Sequence, residues 1–149
     1  MASPAVIGLA LGVEDLAVDI GVSRTRGGLE LLYARGQIVL AAAAAGLSAI
    51  DMPCTDIQQP AFAGREAVLA RRLGFAGKLV IHPAHVPFVN AAFTPSPEEV
   101  EAARMVIAAF DAAKASGQGV VRVSGRMVDE PVATAARRIV ARAERATRE

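Results

Sequence analysis

Leu9-Ala10-Leu11-Gly12-Val13-Glu14-Asp15 decides the fold class of this chain, because a short apolar run typical of a buried strand ends there in a glycine and two carboxylates. Two later strand-like runs end in a similar way, one in Cys54-Thr55-Asp56 and the other in His82-Pro83. In a parallel α/β barrel, branched apolar residues fill the strand interiors, and reactive groups collect at the carboxyl ends and in the loops that follow. The pattern therefore predicts a parallel sheet with polar chemistry on one face.

Length and composition predict a soluble globular protein with a substantial core. The chain has 149 residues, of which 53% are hydrophobic, and its formal net charge is +1. Sixteen basic residues against fifteen acidic ones give no overall field that would hold a nucleic acid. We interpret the arginine-rich stretch 137–148 as a solvated helix face.

Other sequence features favour a cytoplasmic protein that does not bind membranes. The single cysteine, Cys54, excludes an intramolecular disulfide framework and suits a reducing compartment. The most apolar stretch, 37–50, is shorter than the roughly 20 residues that a membrane-spanning helix needs. The first four residues lack the charged start and apolar core of a secretion signal.

Strand and helix patterns alternate through the first part of the chain. The predicted strands are 5–11, 48–52 and 78–81, and the predicted helices between them are 28–45 and 61–73. Glycines stop both helices, as expected at helix C-termini. Such alternation implies parallel strands joined by right-handed crossovers.

The pattern changes after the third strand. Ser96, Pro97 and Glu99 have the spacing of a helix cap, a first-turn proline and a capping box. The expected elements are a helix at 98–116, a strand at 120–123, a turn at 125–131 and a helix at 132–145. We interpret 94–149 as a C-terminal helical lid or oligomerisation segment, and 1–93 as part of a barrel.

Three strand-helix units are too few for a closed barrel. A complete (β/α)8 barrel typically takes about 250 residues, and an open sheet of three parallel strands would leave apolar edges exposed. We therefore expect the C-terminal part of a TIM barrel, completed by a segment outside this chain or by another copy.

Several motifs in this chain resemble, in order and spacing, those of citrate lyase beta-subunit-like proteins. That family includes malyl-CoA and citramalyl-CoA lyases and belongs to the metal-dependent aldolases. The motifs are Gly12-Val13-Glu14-Asp15-Leu16, Leu31-Leu32-Tyr33-Ala34-Arg35, Ala49-Ile50-Asp51-Met52, Gly74-Phe75-Ala76-Gly77-Lys78, Ile81-His82-Pro83, Phe93-Thr94-Pro95-Ser96-Pro97 and Gly125-Arg126-Met127-Val128-Asp129.

The resemblance implies a Mg²⁺-dependent barrel that cleaves, forms or hydrolyses a hydroxyacyl-CoA thioester. The family's metal ligands are a glutamate and an aspartate, and the aspartate matches Asp15. Mg²⁺ takes one or two carboxylates and leaves positions for substrate oxygens. No position here matches the glutamate, or the family's arginine that holds the acyl carbonyl. Asp15 could instead cap a helix, and Glu14 is expected to form a salt bridge or support the site indirectly.

The resemblance also assigns roles to three later residues. Asp129 matches a lid aspartate that acts in proton transfer or water activation at a neighbouring subunit's active site, which implies a homo-oligomer, a trimer in relatives. The alternative is that Asp129 only caps the helix that follows it. His82 and Pro83 match a segment near CoA, although a histidine at a strand end is as often structural.

The remaining polar residues of this face have open interpretations. Asp51 and Asp56 are expected there, but Asp56 could fix its own loop through a local hydrogen bond. His85 is expected to be structural or exposed. Cys54 has no histidine or second cysteine near it in sequence, so neither a thiol nucleophile nor a zinc site is supported.

The leading functional hypothesis is a Mg²⁺-dependent carbon–carbon lyase acting on a malyl-, citramalyl- or citryl-type CoA thioester. The alternatives are an acyl-CoA thioesterase of the same family and a truncated, non-catalytic piece that acts only in assembly. Because the metal-binding glutamate and the arginine are missing, we expect this chain alone to be inactive.

Overall fold

The computed structural model describes residues 5–147, which form two compact units that divide between Phe93 and Thr94. Both units combine helices with short strands, so the predicted mixed α/β class is confirmed. Among residues 5–147, no helix is both long enough and apolar enough to span a bilayer.

The first unit is built on a three-stranded parallel sheet in the order β1-β2-β3. The strands are β1 (Gly8–Ala10), β2 (Ser48–Asp51) and β3 (Gly77–Lys78). The helices are α1 (Val13–Asp19), α2 (Leu32–Ala44), α3 (Pro60–Leu73) and α4 (Val86–Phe93), with 3₁₀ turns at Leu29–Leu31 and Pro83–His85.

The parallel strand order agrees with the sequence prediction, but the strands are shorter than predicted. Asp51, the last residue of β2, is the register partner of Lys78. The ladder ends there because β2 ends at Asp51, whose carbonyl still accepts a hydrogen bond from Leu79 N at 2.9 Å. The third strand is Gly77–Lys78 and not 78–81 as predicted.

Two helices of the first unit were not predicted. Helix α1 has seven residues and no side-chain cap, since Gly12 is its N-cap, so it lacks the sequence signal of a helix start. Helix α4 follows a 3₁₀ turn that begins at Pro83. The predicted start of α2 at residue 28 is a 3₁₀ turn, and the α-helix begins at Leu32.

Small residues bring the helices close to the sheet and to one another. Ala42 of α2, Ala49 of β2 and Ala70 of α3 pack around the buried Phe75. Helix α3 approaches α4 at Gly64, where an added Cβ would lie 3.1 Å from the Cβ of Phe88. Larger side chains at these contacts would separate the layers.

Apolar side chains remain exposed at both outer strands of the sheet. Ile7, just before β1, is 87% exposed, and Ile81, after β3, is 59% exposed. Val18 on α1 is 81% exposed. Apolar residues next to a parallel α/β sheet are normally covered, because helices bury both faces of such a sheet.

The second unit pairs two long helices with a small hairpin. Its elements are α5 (Pro97–Ala115), β4 (Val121–Val123), β5 (Arg126–Val128) and α6 (Glu130–Ala146). Phe110, Val128 and Ala133 form its buried core. The Ser96–Glu99 capping box is present in both directions, which confirms the predicted start of α5.

The predicted turn at 125–131 is wrong in its first part. Residues Arg126–Val128 form β5, which pairs antiparallel with β4. Ser124 and Gly125 both have positive φ, 47° and 81°, as in the two-residue turns that match the twist of a hairpin. A serine at the first turn position concealed this signal, which usually reads Asn-Gly or Asp-Gly.

Candidate functional site

Asp15 lies in the first turn of α1, directly after the carboxyl end of β1. Its side chain is exposed, while Val13 and Ala17 of the same helix are buried. Gly12, not Asp15, is the N-cap, so the helix-cap alternative for Asp15 is wrong. A Cβ at Gly12 would lie 3.3 Å from Asp15 Oδ2, so the glycine leaves room for this carboxylate.

Glu14, the neighbour of Asp15, forms a salt bridge with Arg24. A salt bridge was one of the two roles predicted for Glu14. Nη2 of the same arginine lies 3.6 Å from the sulfur of Met52, the residue after β2. Met52 is buried with Val13. Arg24 therefore joins the first turn of α1 to the segment that follows β2.

Asp56 fixes its own loop and connects it to two others. Its Oδ1 accepts hydrogen bonds from the backbone N–H groups of Gln58 and Gln59 at 3.2 Å each. Arg26 donates to its Oδ2 at 2.5 Å, and this contact holds the pKa of Asp56 below the usual value for an aspartate. His85 Nε2 lies 3.2 Å from the backbone oxygen of Asp56.

A small cleft of about 150 Å³ opens between these loops and α3. Cys54 lines it but is itself only 2% exposed, and burial raises the pKa of its thiol. A buried thiol with a raised pKa is a poor nucleophile, which agrees with the expectation from sequence. The lining residues are Arg24, Thr25, Arg26, Cys54, Thr55, Asp56, Phe62 and Glu66.

Asp51 does not present its carboxylate to a ligand, although it ends β2 on the predicted face. It is 1% exposed, and it pairs with Arg35 of α2 and Lys78 of β3. Lys78 also contacts Glu66 of α3. We call Arg35, Asp51, Lys78 and Glu66 the buried ion cluster. It was not predicted from the sequence. The one signal in the sequence was that Arg35, Asp51 and Lys78 each lie in one of the family motifs.

His82 and Pro83 form the start of the 3₁₀ turn after β3. His82 is half-buried, and its Nδ1 accepts a hydrogen bond from the backbone N–H of Ala84 at 3.2 Å. A neutral histidine that accepts through Nδ1 carries its proton on Nε2, so Nε2 is a donor. His85 is fully buried, in keeping with a structural role.

Asp129 is the N-cap of α6 in the second unit. Its Oδ1 accepts a hydrogen bond from Val132 N at 3.2 Å, and the residue is half-buried. The capping alternative for Asp129 is thus realised. A capping carboxylate keeps a second oxygen, so this contact does not exclude a further role.

Residues 5–147 contain no group of three His, Cys, Asp or Glu side chains arranged to hold a metal ion. Asp15 can provide one hard oxygen ligand of the kind that Mg²⁺ prefers. A complete site would need ligands from other residues or from substrate.

The sequence model of the HpcH/HpaI aldolase/citrate lyase family matches residues 1–83. Citrate lyase subunit beta from Leuconostoc mesenteroides subsp. cremoris is 42% identical over 139 residues, which cover 93% of this chain and 46% of that protein. The (3S)-malyl-CoA thioesterase from Cereibacter sphaeroides (strain ATCC 17029 / ATH 2.4.9) is 37% identical over 143 residues, which cover 96% of this chain and 50% of that protein. The chain spans about half the length of the curated relatives it matches.

Solved structures of similar proteins share the fold. The protein CitE from Mycobacterium tuberculosis, in complex with magnesium, acetoacetate and coenzyme A, is 36% identical with a TM-score of 0.78. The match covers 93% of this chain and 52% of that one. A citrate lyase from Burkholderia xenovorans LB400 is 25% identical with a TM-score of 0.80, over 99% of this chain and 48% of that one.

Proposed function

This chain belongs to the HpcH/HpaI aldolase/citrate lyase family, and we propose that it contributes to a Mg²⁺-dependent lyase that cleaves a carbon–carbon bond in a malyl-, citramalyl- or citryl-type CoA thioester. One observation carries the proposal. Asp15 presents an exposed carboxylate at the carboxyl end of β1, in a chain that resembles a protein crystallised with magnesium and coenzyme A. Active sites of barrel enzymes lie at that end of the strands.

Asp15 fits the role of a Mg²⁺ ligand by its chemistry and its surroundings. Its carboxylate is exposed, it does not cap the helix, and Gly12 leaves space beside it. When bound, Mg²⁺ would act as a Lewis acid that stabilises the enolate formed as the carbon–carbon bond breaks. The other protein ligand, a glutamate in this family, would come from residues outside the chain.

The exposed edges of the sheet support a site completed from outside this chain. Ile7 and Ile81 lie beside the two outer strands, and both are exposed. Further barrel strands would cover them and would bring the remaining ligand and the substrate-binding arginine to the same face. We therefore propose that residues 1–93 form part of a TIM barrel.

His82 and Pro83 are the proposed contacts to coenzyme A. The backbone N–H of Ala84 occupies Nδ1 of His82, and this leaves the Nε2 proton free to donate to an acceptor on the ligand. Pro83 fixes the backbone next to it, so the donor would be held in a defined direction.

The second unit is the proposed lid, with Asp129 as its proton-transfer group. A carboxylate on a mobile lid can act on substrate when closure brings it within hydrogen-bond reach. We propose that it acts on a neighbouring subunit of a homo-oligomer, most simply a trimer.

A thioesterase is the second candidate, because a (3S)-malyl-CoA thioesterase is 37% identical over 96% of this chain. The two reactions would share the metal and the CoA contacts. They differ in product: cleavage of malyl-CoA yields acetyl-CoA and glyoxylate, whereas hydrolysis yields malate and free CoA. Measuring free thiol against glyoxylate distinguishes them.

The test of the proposed function is Asp15→Asn in the purified full-length protein, by which we mean this chain together with the residues that complete its barrel, with Asp19→Asn as control. Asp19 is the last residue of α1 and is exposed, so both variants remove one carboxylate from the same helix. Asp15→Asn should abolish Mg²⁺-dependent turnover of malyl-CoA with an unchanged circular dichroism spectrum, while Asp19→Asn keeps it. Turnover that survives Asp15→Asn would exclude Asp15 as a ligand.

A further inference from the structure

Arg24 lies against the first turn of α1, although it is nine residues from Asp15 in sequence. Its guanidinium pairs with Glu14 through Nη1 and reaches Met52 through Nη2 at 3.6 Å. The arginine side chain is 18% exposed, whereas that of Glu14 is 63% exposed. Arg24 is thus held between a buried strand end and the carboxylate next to Asp15.

Apart from the burial of Val13, no side-chain cap fixes the first turn of α1. The helix has seven residues, and no side chain caps its N-terminus. Short helices without caps are marginal by themselves, because nucleation is unfavourable and few hydrogen bonds form. Consecutive residues of a helix are separated by a fixed rotation of about 100°. A contact that holds this turn at Glu14 therefore also holds the direction in which the Cα–Cβ bond of Asp15 leaves the helix.

We infer that Arg24 is a positioning residue for Asp15: through Glu14 it sets the orientation in which the Asp15 carboxylate meets a divalent cation. This inference rests on the proposed function, since it requires Asp15 to be a metal ligand. Groups that orient metal ligands typically contribute 10–100-fold to metal affinity.

Electrostatics alone predicts the opposite effect of Arg24 on metal binding. A positive charge near a cation site weakens binding, so removing it should raise the affinity. If Arg24 acts by positioning, removing it lowers the affinity in spite of the lost repulsion. The sign of the change therefore separates positioning from a charge effect.

Overall stability separates positioning from general support of the fold. A partly exposed ion pair contributes little to the free energy of unfolding. Loss of the Arg24–Glu14 pair should therefore leave the melting temperature nearly unchanged, while it changes the affinity for the metal.

The experiment measures Mn²⁺ affinity by electron paramagnetic resonance on the purified full-length protein and its Arg24→Gln, Arg24→Lys and Arg26→Gln variants. Arg24→Gln should weaken Mn²⁺ binding by about 10-fold with little change in Tm. Arg24→Lys should recover part of the affinity, because lysine can still pair with Glu14. Arg26→Gln is the matched control, since Arg26 belongs to the same loop but pairs with Asp56.

A double variant tests the route through Glu14. In a Glu14→Gln background, Arg24→Gln should cause no further loss of affinity, because the interaction that it breaks is already absent. If Arg24→Gln lowers the Mn²⁺ affinity as much in the Glu14→Gln background as in the native protein, Arg24 does not act through Glu14. Equal losses of Mn²⁺ affinity in Arg24→Gln and Arg26→Gln would also overturn the inference.

Asp15→Asn distinguishes failure of this inference from failure of the proposed function. If Asp15→Asn removes Mn²⁺ binding and Arg24→Gln leaves it unchanged or stronger, only the positioning role fails. If Asp15→Asn binds Mn²⁺ as the unsubstituted protein does, the metal role of Asp15 fails and the positioning role fails with it.

Discussion

Arg35 donates two hydrogen bonds to the carboxylate of Asp51, from Nε and Nη2, at 3.1 Å each. Both side chains are almost fully buried, and Lys78 adds a third bond to Oδ2 of Asp51 at 3.0 Å. Nζ of Lys78 is also 3.1 Å from Glu66 Oε2. This buried ion cluster joins α2, β2, β3 and α3 at the carboxyl ends of two strands, so it supports the face that carries the candidate site.

Asp51→Asn should lower the free energy of unfolding by about 3 kcal/mol or more, because removing one partner of a buried ion pair leaves an uncompensated charge. Arg35 and Lys78 would lose their shared counter-ion, although Lys78 would keep its contact with Glu66. Urea denaturation followed by circular dichroism measures the change. Asp19→Asn, at an exposed position of α1, is the control and should leave the urea midpoint unchanged. Equal midpoints for the two variants would contradict a supporting role of the cluster.

The thiol of Cys54 should react slowly in the folded protein. Burial raises its pKa, so at pH 8 the folded state holds less of the reactive thiolate than an exposed cysteine would. Labelling with a disulfide reagent should be slow in buffer and fast in 8 M urea, about the concentration at which small domains are fully unfolded. The urea-unfolded chain is its own control. Prompt, complete labelling of the native protein would show that the cleft exposes the sulfur.

Local signals in the sequence predicted the elements whose ends are fixed by local chemistry. Ser96 and Glu99 cap α5 as their spacing indicates. Gly74 ends α3 with φ of 103°, and a Cβ there would lie 2.9 Å from Val39 Cγ1. Both the backbone conformation and the lack of space therefore favour glycine at this position.

The missed features depend on residues far apart in sequence, or on signals too short to read. Arg35 and Lys78 reach Asp51 across 16 and 27 positions, and no periodicity encodes such pairing. Strand β5 has three residues, too few to distinguish alternation from a loop. The position of Asp15 just after β1 could be predicted, because the residues next to it in sequence specify the end of that strand.

Ser96→Ala should destabilise the second unit by about 1 kcal/mol, the usual effect of losing an N-cap hydroxyl. The hydroxyl accepts a hydrogen bond from Glu99 N at 3.2 Å, and Oε2 of Glu99 accepts one from Ser96 N at 2.9 Å. Thermal unfolding followed by circular dichroism checks this, with Ser23→Ala, an exposed serine outside the helices, as the control. A Tm equal to that of the control would mean that the capping box adds nothing to stability.

Asp129→Asn separates the two roles considered for Asp129. Asparagine is as good an N-cap as aspartate, so α6 and the Tm should be preserved. Asparagine cannot transfer a proton, so the proposed lid role predicts a fall in kcat of about 100-fold or more. The fall in kcat is measured from the steady-state turnover of malyl-CoA by the full-length protein.

Asp129→Ala provides the matched comparison, because alanine removes both the cap and the carboxylate. It should lose activity as Asp129→Asn does and, in addition, about 1 kcal/mol of stability, since Val132 N loses its acceptor. If Asp129→Asn turns over at the unsubstituted rate while Asp129→Ala is destabilised, capping is the whole role of this residue, and the proton-transfer group of the lid must be sought elsewhere.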